Sequence, residues 1–241
     1  FYSIQGEGPT TGCPSVFLRL GKCNLSCGGL KTVQSKKIEH PATWRCDTIE
    51  VWTNYLAYSV SKMHEIFMEN NYYKFIKEGA HLIITGGEPL LHQDALVKWL
   101  DAFNTFLSNK MNHSKVYIEV ETNGTIQPQK NLDAYISQYN VSPKLANSGM
   151  KKEKRIVNNV IDYFEASKKS HFKFVVNTKA DINDLKKEFV NPFKIQRKYI
   201  WLMPGADNRK ELAALTPLVV EECLKEGYSF SNRLHIQLWD K

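Results

Sequence analysis

Hydrophobic positions along the chain alternate between short runs and longer stretches with helical spacing. Val16–Leu20, His81–Ile84 and Val116–Val120 are short, mainly aliphatic runs and are predicted to be strands. The segments from Ile49 to Asn70 and from Gln93 to Asn109 carry apolar residues at helical spacing. The pattern continues with helices predicted near 129–137, 154–166, 181–189 and 208–225, and with strands near 139–142, 172–176, 199–203 and 233–238.

Strands separated by helix-length segments are typical of a parallel sheet with right-handed crossovers. About six such units predict an α/β fold with a partial or full β/α barrel, of which we expect the partial (β/α)6-type TIM-like form, with its chemistry at the carboxyl ends of the strands. Residues 28–45 do not fit the alternation and are predicted to be an inserted segment. We expect a single domain over residues 1–241. Residue 1 already lies in a strand-like segment, so we expect the native N-terminus a few residues upstream.

Composition narrows the class of protein. Hydrophobic residues make up 42% and charged residues 24% of the chain, as in ordinary soluble globular proteins. No apolar run approaches the roughly 18 residues of a membrane span, and no signal peptide is recognisable, so we expect a cytoplasmic protein. The net charge is +7, but the lysines are dispersed, which favours solvated faces over direct nucleic-acid binding.

Three of the five cysteines are spaced like metal ligands. Cys23 and Cys27 are separated by three residues, and Cys46 follows after eighteen more. Three thiolates can hold a [4Fe–4S] cluster and leave the fourth iron open, as binding and cleavage of S-adenosylmethionine (SAM) require. The spacing alone also allows zinc, with His40 as a further ligand, or no site at all.

Polar motifs follow the predicted strands at their carboxyl ends. Thr85-Gly86-Gly87-Glu88-Pro89 follows one strand, and its glycines allow backbone to approach a ligand such as an ammonium group. Glu121-Thr122-Asn123-Gly124 follows the next strand and suits ribose hydroxyls or an amino acid. Each motif can also be an ordinary turn, Gly-Gly at a strand exit and Asn-Gly in a chain reversal.

Four further side chains are candidates for a site. Gln5 lies in a glycine-rich turn and offers a donor and an acceptor to a heterocycle edge. Arg19 interrupts an apolar strand, where it either meets an anion such as a substrate carboxylate or lies on an exposed face. Lys144 follows a predicted strand and meets either a carboxylate or solvent. Thr48 either joins a Mg²⁺ shell or caps the helix predicted from Ile49.

In their combination and order, these motifs resemble those of the 7-carboxy-7-deazaguanine synthases, radical SAM enzymes of 7-deazaguanine biosynthesis. The resemblance is close over roughly residues 1–145 and looser beyond. The matching segments are Ser3-Ile4-Gln5-Gly6-Glu7-Gly8, Gly12-x-Pro14-x-x-Phe17-Leu18-Arg19-Leu20, Cys23-Asn24-Leu25-x-Cys27, Cys46-Asp47-Thr48, Thr85-Gly86-Gly87-Glu88-Pro89, Glu121-Thr122-Asn123-Gly124 and Ser142-Pro143-Lys144.

The chain departs from the family in its cysteine motif. The family's usual spacing is C-x3-C-x2-C, and Leu30 stands where the compact form has its third cysteine. Because Cys46-Asp47-Thr48 keeps the context of that cysteine, we interpret residues 28–45 as an insertion and Cys46 as the third ligand. A cluster constrains distance in space and not in sequence, so such an excursion is acceptable.

The resemblance implies a carbon–nitrogen lyase that converts 6-carboxy-5,6,7,8-tetrahydropterin to 7-carboxy-7-deazaguanine and ammonia. It implies three cofactors, a [4Fe–4S] cluster, SAM and Mg²⁺, which would carry the radical chemistry and assist the ring contraction. It also implies a flavodoxin- or ferredoxin-type reductant and a homodimer.

Roles for individual residues follow from matching positions. Cys23, Cys27 and Cys46 would hold iron, and Thr48 would reach Mg²⁺. The residues that would line the pterin pocket are Ile4, Gln5, Gly6, Arg19 and Thr85, with His235 and Gln237 added from the C-terminal segment. The residues that would contact SAM are Gly87, Glu88, Glu121, Thr122, Asn123, Ser142 and Lys144.

Two other functions stay open on the sequence. Another small-molecule radical SAM enzyme, or an activating enzyme, would share the cluster and SAM motifs, although Gln5 and Arg19 favour a pterin. A non-catalytic protein would instead hold zinc on the three cysteines and His40.

Overall fold

The computed structural model describes residues 1–35, 37–113 and 115–240. One residue of the predicted insert, residue 36, and the last residue, Lys241, therefore lie outside the described residues. The strands are β1 (Tyr2–Ile4), β2 (Pro14–Leu20), β3 (His81–Gly86), β4 (Ile118–Thr122), β5 (Gln138–Val141), β6 (Ser170–Val176), β7 (Ile200–Pro204) and β8 (Ser229–Phe230). The helices are α1 (Thr32–Ser35), α2 (Ile49–Thr53), α3 (Val60–Glu69), α4 (Tyr72–Lys77), α5 (Gln93–Met111), α6 (Lys130–Asp133), α7 (Lys152–Arg155), α8 (Asn158–Ala166), α9 (Lys179–Leu185), α10 (Asn191–Phe193), α11 (Arg209–Glu226) and α12 (Leu234–Trp239).

The strands form one sheet whose spatial order follows the chain from β1 to β8. β1 is antiparallel to β2, and each later neighbouring pair is parallel. Among the described residues β8 does not pair with β1, so the sheet curves without closing. The predicted α/β fold and partial barrel are confirmed.

The alternation of side chains along β3 shows how the sheet positions a site. Leu82 and Ile84 are fully buried and belong to the same apolar core as Leu100 and Phe103 of α5. Because successive strand residues point to opposite faces, the intervening Ile83 points to the other side, into the barrel. The same alternation turns the inner residues of the neighbouring strands toward a common interior.

The helix predicted from Ile49 to Asn70 is interrupted. α2 ends at Thr53, and α3 begins only at Val60. Ser59 caps α3 by accepting the N–H of Lys62 at 3.1 Å. The segment between the helices exposes its apolar side chains, among them Leu56 at 75%. With no face to bury, helical spacing alone does not keep this segment helical.

The strand predicted near 233–238 was wrong, because this segment is the helix α12. The last strand is the shorter β8, which pairs with Trp201 and Leu202 of β7. Ile236 is the buried residue of α12, whereas Leu238 and Trp239 are 45% and 51% exposed. The alternation of apolar and polar residues therefore does not mark a two-sided strand here.

Other boundaries moved by a few residues. The fourth strand begins at Ile118, not Val116, and runs on to Thr122. The helix predicted near 129–137 is the short α6, and that near 154–166 is divided into α7 and α8. Within the described ranges, none of the helices combines the length and apolar character needed to cross a bilayer.

Candidate active site

A cavity of about 590 Å³ opens where the parallel strands end. The residues at the carboxyl ends of successive strands line it, including Arg19, Thr85, Glu121 and Ser142. A second cavity of about 380 Å³ shares most of its lining residues with the first, so the two form one site. The polar motifs at the strand ends therefore meet in one place, at the end of the barrel where such folds carry their chemistry.

Cys23, Cys27 and Cys46 all line this cavity. They pack in one small apolar cluster that also includes Trp44 and Met203. The N–H of Cys46 donates to the carbonyl of Cys27 at 3.1 Å. Cys27 and Cys46 are far apart in the sequence but are thus in direct contact in space.

The inserted segment is anchored to the loop after β5. The N–H of Gly28 donates to the carbonyl of Ser148 at 3.0 Å. The Asn147 side chain accepts from the indole N–H of Trp44 at 2.9 Å and donates to the carbonyl of Val175 at 3.0 Å. Asn147 therefore ties the insert to β6 and holds Trp44 beside the cysteines.

The surroundings of the thiols suit ligation of a metal centre. Burial raises the pKa of Cys27 to about 12 and also raises the pKa of Cys23. Positively charged metal centres would stabilise these thiolates where burial opposes them. Either an iron–sulfur cluster or a zinc ion would supply that positive charge. His40, the further ligand considered for zinc, is exposed in the insert.

Thr48 opens α2 without capping it through its side chain. Its carbonyl accepts the N–H groups of Val51 and Trp52, both at 3.0 Å. Its hydroxyl instead lies 3.3 Å from Sγ of Cys46, and the residue lines the cavity. Thr48 is thus the first residue before the helix, and its side chain lies at the cavity beside Cys46, where a metal ion or a substrate oxygen would meet it.

The glycine turn after β3 packs against the end of β2. The N–H of Gly87 donates to the carbonyl of Leu20 at 3.0 Å, and the N–H of Glu88 donates to that of Lys22 at 2.9 Å. A Cβ on Gly87 would lie 1.8 Å from the carbonyl oxygen of Lys22, so only glycine fits. A ligand ammonium group only donates hydrogen bonds, so at this turn it would be held by backbone carbonyl oxygens.

The side chain of Glu88 lies behind the cavity and not in its described lining. It is fully buried and accepts from the N–H of Leu90 at 3.0 Å, the hydroxyl of Thr122 at 2.9 Å and the N–H of Asn123 at 2.7 Å. Burial raises its pKa against the effect of these hydrogen bonds. Glu88 therefore fixes the turn after β4, and only its backbone is placed to meet a ligand.

Asn123 joins that turn to the cysteine loop. Its Nδ2 donates to Oδ1 of Asn24 at 2.8 Å, and its Oδ1 accepts from the hydroxyl of Thr125 at 2.6 Å. Lys144 donates to the hydroxyl of Ser142 at 3.0 Å, and its charge opposes the effect of burial on the nearby thiols. Asn123, Ser142 and Lys144 thus line the cysteine side of the cavity.

Glu121 lies between Gln5 and Thr85. Its carboxylate accepts from the hydroxyl of Thr85 at 2.6 Å and from Nε2 of Gln5 at 3.2 Å. The family resemblance assigns Glu121 to SAM and the other two residues to the pterin. The structure brings the three side chains together in one hydrogen-bonded group.

Arg19 is the exposed cation of this group. Its guanidinium lies 5.3 Å from the centre of the Phe1 ring and, among the residues that the structure describes, forms no ion pair. Ile4 and Gly6 line the cavity nearby. This side of the cavity thus combines a free guanidinium with the donors and acceptors around Glu121.

The two residues from the C-terminal segment have different positions. His235 lines the cavity, and its Nε2 lies 3.9 Å from Oε1 of Glu7. Burial lowers the pKa of His235 although Glu7 opposes that effect. Gln237 is not in the described lining; it is exposed, and its side-chain oxygen accepts from Asn232 at 2.7 Å.

The sequence did not single out a buried ion-pair network beside the cavity. Glu7 pairs with Lys173 and, at 3.1 Å, with Arg233, which also pairs with Asp47. Burial alone would raise the pKa of Glu7, but Lys173 and Arg233 hold it well below its usual value. Lys173 is a lone charged residue in an apolar strand. The same pattern makes Arg19 a candidate, so it could also have predicted Lys173.

A partial barrel with three cysteines and a glycine turn around one cavity is the arrangement that the resemblance to radical SAM enzymes implies. The fold is similar to that of a solved structure, native anSMEcpe with bound AdoMet, with a TM-score of 0.53 and 16% identity over 93% of this chain and 67% of that one. No protein-family model matches the chain.

Relatives in sequence identify the family more closely. The chain is 30% identical to the 7-carboxy-7-deazaguanine synthase of Pyrobaculum aerophilum, over 99% of this chain and 92% of that protein. It is also 30% identical to the enzyme of the same name from Halobacterium salinarum, over 100% of this chain and 88% of that protein. The chain belongs to the 7-carboxy-7-deazaguanine synthase family.

Proposed function

We propose that the chain converts 6-carboxy-5,6,7,8-tetrahydropterin to 7-carboxy-7-deazaguanine and ammonia, and that the residues of the cavity divide this work between two ends. The observation that carries the proposal is the pairing of the cysteine cluster with the Gln5–Glu121–Thr85 group in one cavity. A cluster alone would fit many radical SAM enzymes. The second group gives this cavity the chemistry of a heterocycle site.

Glu121, Gln5 and Thr85 would recognise the pterin ring through hydrogen bonds. A carboxylate between a hydroxyl and an amide offers acceptors to the ring N–H and exocyclic amino groups, which are donors. Arg19 would hold the 6-carboxylate, since its guanidinium is free and suits bidentate binding. Ile4 and Gly6 would shape the wall of the pocket. These assignments place Glu121 with the substrate, in contrast to its matched role in the family.

The opposite end would bind SAM. The carbonyl oxygens of the Gly86-Gly87 turn suit the ammonium group, and Lys144 suits the carboxylate of the methionine moiety. Thr122, Asn123 and Ser142 would offer polar contacts to the remainder, while Glu88 acts through the backbone that it holds. Only these orienting roles belong to the protein, because the cofactors supply the radical chemistry.

Cys23, Cys27 and Cys46 would hold three irons of a [4Fe–4S] cluster, and Thr48 would contact Mg²⁺. When bound and reduced, the cluster would supply the electron that cleaves SAM, and Mg²⁺ would polarise substrate oxygens. Cys46 and Thr48 are neighbours in space, so the turn between them would position both metal sites.

The wider setting of the enzyme is proposed on family grounds. A flavodoxin- or ferredoxin-type protein would reduce the cluster, two copies of the chain would form a homodimer, and the protein would work in the cytoplasm as a single domain. We expect no direct binding of nucleic acid, because the lysines are dispersed along the chain and the cavity suits a small heterocycle.

Product analysis tests the proposed reaction. The enzyme is reconstituted anaerobically with iron and sulfide and incubated with SAM, Mg²⁺, a chemical reductant and the carboxytetrahydropterin, and products are identified by mass spectrometry. We expect 7-carboxy-7-deazaguanine and ammonia in equal amounts. A cluster-loaded enzyme that cleaves SAM but leaves the pterin intact would instead favour another radical SAM reaction, and a colourless zinc protein would exclude both.

A further inference from the structure

Arg233 connects the C-terminal segment to the loop that carries Cys46. It immediately precedes α12 and is 5% exposed. Its guanidinium donates to the carboxylate of Asp47, to the carbonyl of Ala206 and, through Nε at 3.1 Å, to Oε1 of Glu7. Three separate parts of the chain are thus held by one buried side chain.

Asp47 lies between Cys46 and Thr48, at the centre of the turn that would position the cluster and Mg²⁺. Its side chain is 48% exposed, and Arg233 is the cation that pairs with it among the described residues. The carboxylates of Glu7 and Asp207 lie nearby and repel it. Without Arg233, the turn would lose the contact that draws Asp47 inward.

A divalent cation is the alternative occupant of this place. Glu7, Asp47 and His235 each offer a ligand atom, and these atoms all lie within 4.8 Å of one another. Two cationic side chains already neutralise them, because Arg233 pairs with both carboxylates and Lys173 pairs with Glu7. An added cation would face these positive charges at close range. The structure therefore favours Arg233 as the counter-ion.

We propose that Arg233 is a positioning residue for the turn from Cys46 to Thr48. By holding Asp47 it fixes the Thr48 hydroxyl next to Cys46, and by holding Glu7 it fixes the chain beside Gln5 and Gly6. The same guanidinium thereby couples the Mg²⁺ end of the site to the pterin end. The inference rests on the proposed roles of Cys46 and Thr48.

A double-mutant cycle with two readouts tests this role. The variants are Arg233→Met, Asp47→Asn and their combination. The first readout is amide hydrogen exchange of the peptide over residues 43–52 in the cluster-free protein, which needs no activity. The second is the Mg²⁺ concentration for half-maximal turnover. We expect each single variant to raise the exchange rate of this peptide and the half-maximal Mg²⁺ concentration about tenfold. Because the two residues form one ion pair, the double variant should add little to either effect.

Arg209→Met is the matched control. Arg209 holds the same helix from outside the cavity, by donating to the carbonyls of Gln237 and Leu238 at 2.9 and 2.7 Å. We expect Arg209→Met to loosen α12 but to leave the exchange rate over residues 43–52 within about twofold of that in the unchanged protein. If exchange over residues 43–52 is equally fast in Arg209→Met and Arg233→Met, loosening of α12 alone explains the effect. That result would overturn the proposal.

Three further outcomes are informative, and the last separates this inference from the proposed function. If the effects of Arg233→Met and Asp47→Asn on exchange multiply in the double variant, the two residues act independently. That result would overturn the inference. If Arg233→Met does not fold, Asp47→Asn still tests it, since unchanged exchange in that variant would contradict it. If the unchanged enzyme has no Mg²⁺-dependent turnover, the proposed function fails, while the exchange measurement still decides the role of Arg233.

Discussion

Gly6 and His235 come from opposite ends of the chain and lie so close that a Cβ on Gly6 would stand 2.4 Å from Nδ1 of His235. The N–H of Leu234 donates to the carbonyl of Gly6 at 2.9 Å, and the N–H of Gly8 donates to the Ser231 hydroxyl at 2.9 Å. The glycine-rich turn and the C-terminal segment therefore form one continuous wall of the cavity.

Gly6→Ala tests this close approach. The added methyl group would displace the imidazole ring and the wall that it forms, so we expect the KM for the pterin to rise about tenfold with iron content unchanged. The control is His235→Ala, which removes the ring atoms that clash. In that background Gly6→Ala should have little further effect. A full additional loss in the double variant would mean that the space beside Gly6 is not limited by His235.

Cys46→Ala tests the third ligand of the cluster. We expect it to abolish SAM cleavage and to lower iron content, because the remaining two thiolates would not hold the cluster. Cys13→Ala is the control, since Cys13 does not belong to the cysteine cluster and should leave both measurements unchanged. Normal cleavage by Cys46→Ala would remove Cys46 from the ligand set.

Thr48→Ala tests the Mg²⁺ contact. Removing the hydroxyl should weaken the dependence of turnover on Mg²⁺ while the cluster stays intact, whereas Thr48→Ser should retain most of it. The side chain does not cap α2, so neither change should alter helix stability appreciably. An unchanged Mg²⁺ titration in Thr48→Ala would place the metal elsewhere.

Asn147→Ala tests the anchor of the insert. The change would leave the indole N–H of Trp44 without its partner and release the carbonyl of Val175, at a cost of about 1–3 kcal/mol for a buried donor left unpaired. We expect faster loss of iron to a chelator, measured against Asn131→Ala on α6. Equal rates of iron loss in the two variants would show that the insert does not support the cluster.

Glu7→Gln tests the buried ion pairs through their pH dependence. Burial would raise the pKa of Glu7, but Lys173 and Arg233 together lower it, so the folded protein keeps this carboxylate ionised to lower pH than the unfolded chain. Its stabilising effect is therefore complete above the ordinary glutamate pKa of about 4.3 and is lost as the pH falls below it.

Urea unfolding of the cluster-free protein measures this effect. At neutral pH we expect Glu7→Gln to lower the free energy of unfolding by about 3–5 kcal/mol, because it leaves two buried cations short of a partner. The difference in the free energy of unfolding between Glu7→Gln and the unchanged protein should become smaller in acid. The exposed Glu153→Gln is the control, and a difference for Glu7→Gln that stays constant into acid would contradict the ion-pair assignment.

The sequence was sufficient for the barrel and for the segments that meet in the cavity, because strand ends with polar motifs converge in any parallel barrel. It was not sufficient for the partner of each side chain. The fourth strand was predicted to end at Val120, which left Glu121 in a loop, whereas the strand runs to Thr122. Glu121 therefore lies on the inner face of the sheet beside Thr85.

The C-terminal segment shows a second limit. Leu234-His235-Ile236-Gln237-Leu238-Trp239 alternates as a strand does, yet it is a helix whose last carbonyls accept from Arg209. That contact joins residues far apart in the chain, and local periodicity contains no sign of it. The same holds for Arg233, whose partners Glu7 and Asp47 come from two other loops.

Transfer of deuterium from the substrate tests whether this cavity brings the pterin and SAM together for reaction. The enzyme is given carboxytetrahydropterin labelled with deuterium at carbon 6, together with SAM, Mg²⁺ and a reductant, and 5′-deoxyadenosine is examined by mass spectrometry. We expect the label in 5′-deoxyadenosine and 7-carboxy-7-deazaguanine as the product. Unlabelled 5′-deoxyadenosine, with the label still in an unchanged pterin, would contradict the claim that this cavity brings the pterin and SAM together for reaction.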